Sequence, residues 1–86
     1  MPNPIFQLSA HAAAVIAERR IDLEWIERVL SNPERTEPGR HDPGLVHAFA
    51  RIAEHGNRVL RVVYNAQVDP PRIVTVYFDR ALKDRP

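Results

Sequence analysis

The sequence predicts an α+β domain in which two N-terminal helices pack on one face of a three-stranded antiparallel meander. Three observations carry that prediction. Apolar residues recur at helical spacing up to Asn32, they alternate with polar ones at a period of two from Leu45 onward, and residues 33–44 between them hold little that can pack. At 86 residues the chain is limited to one compact core, so a single domain over 1–86 is expected.

The first helix is expected over 10–20. Ser9 is a good N-cap, and alanines at 10, 12, 13 and 14 favour helix, with Val15 and Ile16 as its apolar face. The second is expected over 22–31. Asp22 caps it, Ile21 can staple onto Ile26, and Leu23, Ile26 and Leu30 form a stripe widened by Trp25 and Val29. Glu24 and Arg28 are spaced as an i,i+4 pair, and Asn32-Pro33 ends the helix because proline pushes the preceding residue out of the helical region. Residues 33–44, PERTEPGRHDPG, read as a loop with three prolines, two glycines and five formal charges. Strands follow at about 45–54, 58–65 and 72–79, with turns at His55-Gly56-Asn57 and at AQVDPP.

Composition excludes several classes. A hydrophobic content of 44% with 27% charged residues is that of a globular chain, and the absence of cysteine removes disulfides and thiolate metal sites. No apolar run approaches the roughly 18 residues of a membrane span, and MPNPIFQLSAH lacks the basic start and long apolar run of a signal peptide, so a cytoplasmic location is expected. Three glycines offer no phosphate-cradling loop or dinucleotide fingerprint, and no cofactor is expected. His41, Asp42, His47 and His55 lack metal-ligand spacing, so no metal is expected either. The net charge of +1 divides into −2 over residues 1–57 and +3 over 58–86.

HAFARIAEHGNRVLRVVYN, residues 47–65, poses the question on which a site depends: do Arg51 and Arg61 face the same way? An odd number of loop residues between the strands keeps parity and puts both on the face away from the helices. An even number puts Arg61 beneath the helices. Burying an unpaired guanidinium costs several kcal/mol, more than any turn preference of about 1 kcal/mol, so the odd loop is expected. The face toward the helices then holds Val46, Ala48, Ala50, Ile52, Leu60, Val62, Tyr64, Val74, Val76 and Phe78. The second face holds His47, Phe49, Arg51, Arg61, Thr75, Tyr77 and Asp79.

SxHAxxxIAERRI, then W-I-E-x-V-L-x-N-P, then HAFARI, GNRVLRVVYN and PPRIVTVYFDR together resemble the bacterial family known as domain of unknown function 4258, from about Ser9 to Arg80. That family is similar in layout to BrnT and, more distantly, to the RelE and ParE toxins of toxin–antitoxin pairs, which set helices against one face of an antiparallel sheet. The resemblance implies a metal-independent ribonuclease, as in RelE-type and BrnT-type members, or a gyrase inhibitor, as in ParE-type members. It also implies an antitoxin as protein partner and RNA as a target. Two positions depart from the family: arginine is often found where this chain has Val15, and glycine where it has Arg20.

Metal-free RNA cleavage needs a base, an acid and cations for the phosphate. His47 suits acid or base, His11 and Tyr77 are further proton donors, and Arg51, Arg61 and Arg80 are candidate phosphate ligands. The same residues also read as the wet side of a two-layer fold, His11 as a backbone hydrogen-bonding group, and Arg19 as an ion-pair partner of Asp22 or Asp79. The alternative function is a non-catalytic binding module for protein or nucleic acid. The edge strands of a three-stranded sheet would also invite a homodimer.

Overall fold

The structure is a computed structural model and describes residues 5–82. Lys83 and Arg85, counted in the basic C-terminal half, lie outside the described residues. The elements in order are β1 (Gln7–Leu8), α1 (Ala10–Arg19), α2 (Leu23–Ser31), β2 (Arg35–Pro38), β3 (Leu45–Ile52), β4 (Arg58–Asn65) and β5 (Arg72–Phe78). They form one five-stranded mixed sheet ordered β1-β5-β4-β3-β2, with β1 parallel to β5 and the other pairs antiparallel. The expected three-stranded meander is therefore only the centre of the sheet. Among the described residues no helix is long and apolar enough to cross a membrane.

The two added strands carry no periodicity that would announce them. β1 has only two residues, held by Gln7 N–H to Pro71 O at 2.8 Å, Ser9 N–H to Ile73 O at 2.9 Å and the Gln7 side-chain amide to Pro70 O at 2.8 Å. β2 is RTEP, a charged segment ending in proline, which suits an outer strand because its free edge is poor at recruiting another. Gly39 makes the return from β2 possible. Its N–H donates to Leu45 O, and a Cβ there would lie 2.6 Å from Asp42 O. With β1 and β2 in place, the edges that suggested a homodimer are β5 beyond Ile73 and a charged, proline-ended strand.

Both helices lie on one face, α1 over β5 and α2 over β3 and β4. Ser9 and Asp22 cap them, accepting from the N–H groups of Ala12 and Glu24. Ile21 serves both helices. Arg20 adopts a left-handed conformation (φ 54°), which turns the Ile21 N–H back onto Ile16 O at 3.0 Å and closes α1. The Ile21 side chain is buried in the same cluster as Ile16 and Ile26, joining the end of one helix to the start of the next. Leu23, assigned to the buried stripe, is instead 48% exposed, and Val29 with Ile26 takes the inward positions. Arg28 likewise prefers Glu54, at 2.7 and 2.8 Å, over Glu24 at 3.9 Å, and so ties α2 to the β3–β4 turn.

The β3–β4 register pairs Ala48 with Val62 and Phe49 with Arg61, so parity is kept across the turn. A short 3-10 turn at Ala53–His55 followed by Gly56 and Asn57, both at positive φ, supplies the odd loop. Ala48, Ala50, Ile52, Leu60, Val62 and Val76 face the helices and form the core with Ala12, Ile16, Ile26 and Val29. Val74 departs from the expected alternation. A bulge opposite Val63/Tyr64 shifts β5 by one residue, so fully buried Ile73 fills the core position while Val74 offers its carbonyl to the Ser9 hydroxyl.

Relieving the positive φ at Arg20 tests the helix junction. Arg20→Gly is expected to raise the unfolding free energy by up to about 1 kcal/mol in urea denaturation, the left-handed penalty less glycine's entropy in the unfolded chain. A loss of stability would mean that the Arg20 side chain contributes more than its backbone costs.

Candidate functional site

On the sheet face away from the helices, Arg35, Phe49, Arg61 and Tyr77 stand in one row across β2, β3, β4 and β5. Cations and rings alternate along it. The Arg35 guanidinium carbon lies 4.8 Å from the Phe49 ring centre, that of Arg61 lies 4.4 Å from the same ring, and Arg61 is 5.6 Å from the Tyr77 ring. Phe49 is fully buried beneath its two arginines, and Val59 and Val63 are buried beside it on the same face. The wet face thus carries a second, smaller apolar patch roofed by guanidinium groups.

Arg61 is held from several sides. Its Nη2 pairs with Asp79 Oδ2 at 2.7 Å, and its Nη1 donates to His47 Nδ1 at 3.1 Å. Side-chain exposure is only 18% for Arg61 and 13% for Asp79, so this pair is shielded from water as no other ion pair in the described residues is. Arg61 Nε is buried without an acceptor, a cost accepted where the guanidinium lies flat against Phe49. The remaining Asp79 oxygen accepts the Ala81 N–H and caps the turn after β5. The sequence offers Asp22 or Asp79 as the partner of Arg19; Asp79 pairs instead with Arg61, the arginine on its own face.

His47 is depressed below its ordinary 6.5, first by burial and then by the adjacent Arg61 charge, with Glu37 opposing. Burial and the Arg61 charge both favour the neutral ring. Arginine can only donate, so Nδ1 is the acceptor and the ring proton sits on Nε2. The basic nitrogen is occupied and the other carries a poorly acidic proton. In this arrangement His47 is a weak candidate for either base or acid.

The other candidates do not gather here. Arg51 sits at the end of β3 and is bound by Glu34, through its backbone N–H at 2.7 Å and its guanidinium at 2.9 and 3.1 Å, which pulls Glu34 below its usual carboxylate range. His11 is exposed on α1, so the sheet separates it from His47 and Tyr77. Arg80 lies past β5 at the rim of a groove on the side of the molecule that the sequence reading did not identify.

That groove, of about 550 Å³, runs between the end of α1, the start of α2, the β3–β4 turn and the end of β5. Trp25, His55 and Phe78 form one wall, with His55 stacked on Phe78 at 4.5 Å and tilted at 47° against Trp25 at 5.4 Å between ring centres. Arg19, Arg20, Arg58 and Arg80 line the groove, with Glu18 as the single carboxylate. Unlike Arg28, Arg35, Arg51 and Arg61, these four have no carboxylate partner among the described residues. Nothing local in the sequence marks them as a set, because they come from a helix end, a strand start and a post-strand turn.

Two measurements separate the locked arginine from the loosely paired one. Arg61→Ala leaves a shielded carboxylate unpaired and uncovers Phe49, and is expected to cost about 3 kcal/mol in urea denaturation, whereas Arg51→Ala is expected to cost about 1 kcal/mol or less. Similar costs for both would mean that Arg61 is not the anchor of this face. His47, lowered in the fold, contributes stability that is complete above pH 6.5 and is lost as pH falls from there through its folded value. Denaturation at pH 7.5 and pH 5.5 is expected to show a smaller loss for His47→Asn, which keeps an acceptor for Arg61, than for the wild type. Equal losses would assign the acid sensitivity to other groups.

No curated protein and no solved structure gives a significant match to this chain. The family described as Domain of unknown function (DUF4258) matches residues 8–78, from the last residue of β1 through β5, with both helices and the Arg61 row. The chain belongs to the DUF4258 family.

Proposed function

We propose that this protein is a non-catalytic binding module for an anionic partner, seated in the groove rimmed by Arg19, Arg20, Arg58 and Arg80. The observation that carries the reading is the contrast between the two sets of arginines. Those on the open face of the sheet are committed to Glu37, Glu34 and Asp79, while the four around the groove have no counter-ion among the described residues; Arg40 and Arg72 also lack one, but only the four share the lining of one concavity. Unpaired guanidinium groups around a concavity attract carboxylates or phosphates, and the Trp25–His55–Phe78 wall adds apolar contact area.

A second reading, a metal-independent ribonuclease of the toxin type, is favoured by the 3.1 Å contact between His47 and Arg61 with half-exposed Tyr77 next to them. It requires RNA phosphate to displace Asp79 from Arg61 and to free His47 Nδ1. The intact pair is the reason the binding reading ranks first.

Two double variants with equal net charge test the groove. Arg19→Gln with Arg80→Gln, and Arg40→Gln with Arg72→Gln, each lower the formal charge from +1 to −1. On immobilised heparin, a generic polyanion, the groove pair is expected to elute at clearly lower salt than the wild type and the distant pair close to it. Equal weakening by both would reduce the interaction to overall charge. Induced expression is expected to leave bulk RNA intact. RNA breakage that His47→Ala abolishes, while the variant remains folded, would establish the ribonuclease reading instead.

A further inference from the structure

We infer that the ligand of the groove is a small phosphomonoester, its phosphate held between Arg58 and Arg80 and its organic part against the aromatic wall. The inference rests on the proposed anion-binding role of the groove and names the class of anion.

Two arginines come together where the β4–β5 ladder ends. The Asp79 N–H donates to Val59 O at 2.8 Å, one step past the Leu60–Phe78 pair, and Arg58 and Arg80 flank that bond in the chain. Strand alternation puts Arg58 on the same side as Leu60, the side of the helices. Arg58, Phe78 and Arg80 line both the groove and an adjoining hollow of about 480 Å³. The carboxylate of that second hollow, Asp79, is already engaged by Arg61 and by the Ala81 N–H. Like charges set across a ladder end without a counter-ion repel, and an anion between them removes that repulsion.

Fixed backbone places both side chains. Arg58 opens β4 directly after Gly56 and Asn57, both at positive φ, and pairs in register with Ile52. Arg80 lies in the turn that Asp79 holds, through its carboxylate to the Ala81 N–H and its carbonyl to the Leu82 N–H at 3.3 Å. The shielded Arg61–Asp79 pair thus positions a groove arginine from the opposite face of the sheet.

The donors select the class of anion. A carboxylate offers two oxygens in one plane, which a single guanidinium fork fills. A phosphomonoester offers three oxygens in a tetrahedral array and close to two charges at pH 7, enough for two forks at once. A phosphodiester, as in a nucleic acid, has two free oxygens and one charge per phosphate. Arg19 and Arg20 add charge from the end of α1 against the single carboxylate of Glu18, which favours the more highly charged ion. Trp25, His55 and Phe78, with Val15, give the organic part an apolar surface, and a groove of about 550 Å³ is of small-molecule size.

The test follows amide shifts of the isotope-labelled full chain during titration with phenyl phosphate, inorganic phosphate, benzoate and oligouridylate. Phenyl phosphate is expected to bind roughly tenfold tighter than benzoate and several-fold tighter than inorganic phosphate, with shifts at Arg58, Phe78 and Arg80. Arg58→Gln and Arg80→Gln, both at exposed positions, are each expected to weaken it about tenfold, and the charge-matched Arg72→Gln less than about twofold. Equal weakening by all three variants, benzoate binding as tightly as phenyl phosphate, or preference for oligouridylate would overturn the phosphomonoester. Inorganic phosphate binding as tightly as phenyl phosphate would overturn the part given to the aromatic wall. Absence of binding by all four probes, with groove-dependent heparin retention preserved, would overturn the phosphomonoester and leave the anion-binding groove standing. Loss of that dependence as well would overturn the groove itself.

Discussion

A guanidinium in the middle of the central strand organises this fold. Arg61 has neighbours on both sides in the sheet, so its side chain must lie either under the helices or on the open face. Under the helices it would enter a cluster made of alanine, valine, isoleucine and leucine, with nothing there to pair with. On the open face it reaches Asp79, His47 and Phe49 together. That choice sets the parity of the β3–β4 hairpin, and parity sets which residues make the core. The same side chain also ties the turn after β5 to the centre of the sheet and, second to burial, favours the neutral form of His47.

An arginine so engaged is poorly suited to the role that its residue type suggests. Phosphate recognition requires that a cation exchange its partner for the ligand, and Arg61 would surrender a shielded carboxylate, an imidazole acceptor and an aromatic face. Arg51 is less shielded but still spends its guanidinium on Glu34. Apart from Arg40 and Arg72, the arginines without a counter-ion among the described residues lie where the end of α1 meets the last strand. Four arginines drawn from three kinds of local structure converge there beside three rings in mutual contact. The open face is thus internally paired, whereas the arginines of the groove have no counter-ion among the described residues.

Strand edges show the same division between closed and open. β2 closes the far side of the sheet with charges and a proline. β1 closes the near side for two residues only, because Ser9 has to cap the helix that follows. One serine therefore both starts α1 and finishes the cover over β5, through its hydroxyl to Ala12 N–H and to Val74 O. The stretch of β5 beyond it has no paired strand on that side, and α1 packs over it instead.

The sequence by itself determined the two helices and their caps, the three central strands and the face on which Arg51 and Arg61 lie. Each of these is set by local preference or by a cost large enough to dominate: capping at Ser9 and Asp22, proline after Asn32, and several kcal/mol against a buried unpaired arginine. The departures come from positions where a local signal was too short or a competing contact decided. β1 and β2 lack periodicity, the bulge at Val74 answers to the strand beside it, and Arg28 turns from Glu24 to the better placed Glu54. The partners of the site were decided only by the tertiary structure. That Asp79 meets Arg61, and that Arg19, Arg20, Arg58 and Arg80 share one rim, depends on which helix end lies over which strand end, and residues far apart in the chain carry no local mark of such proximity.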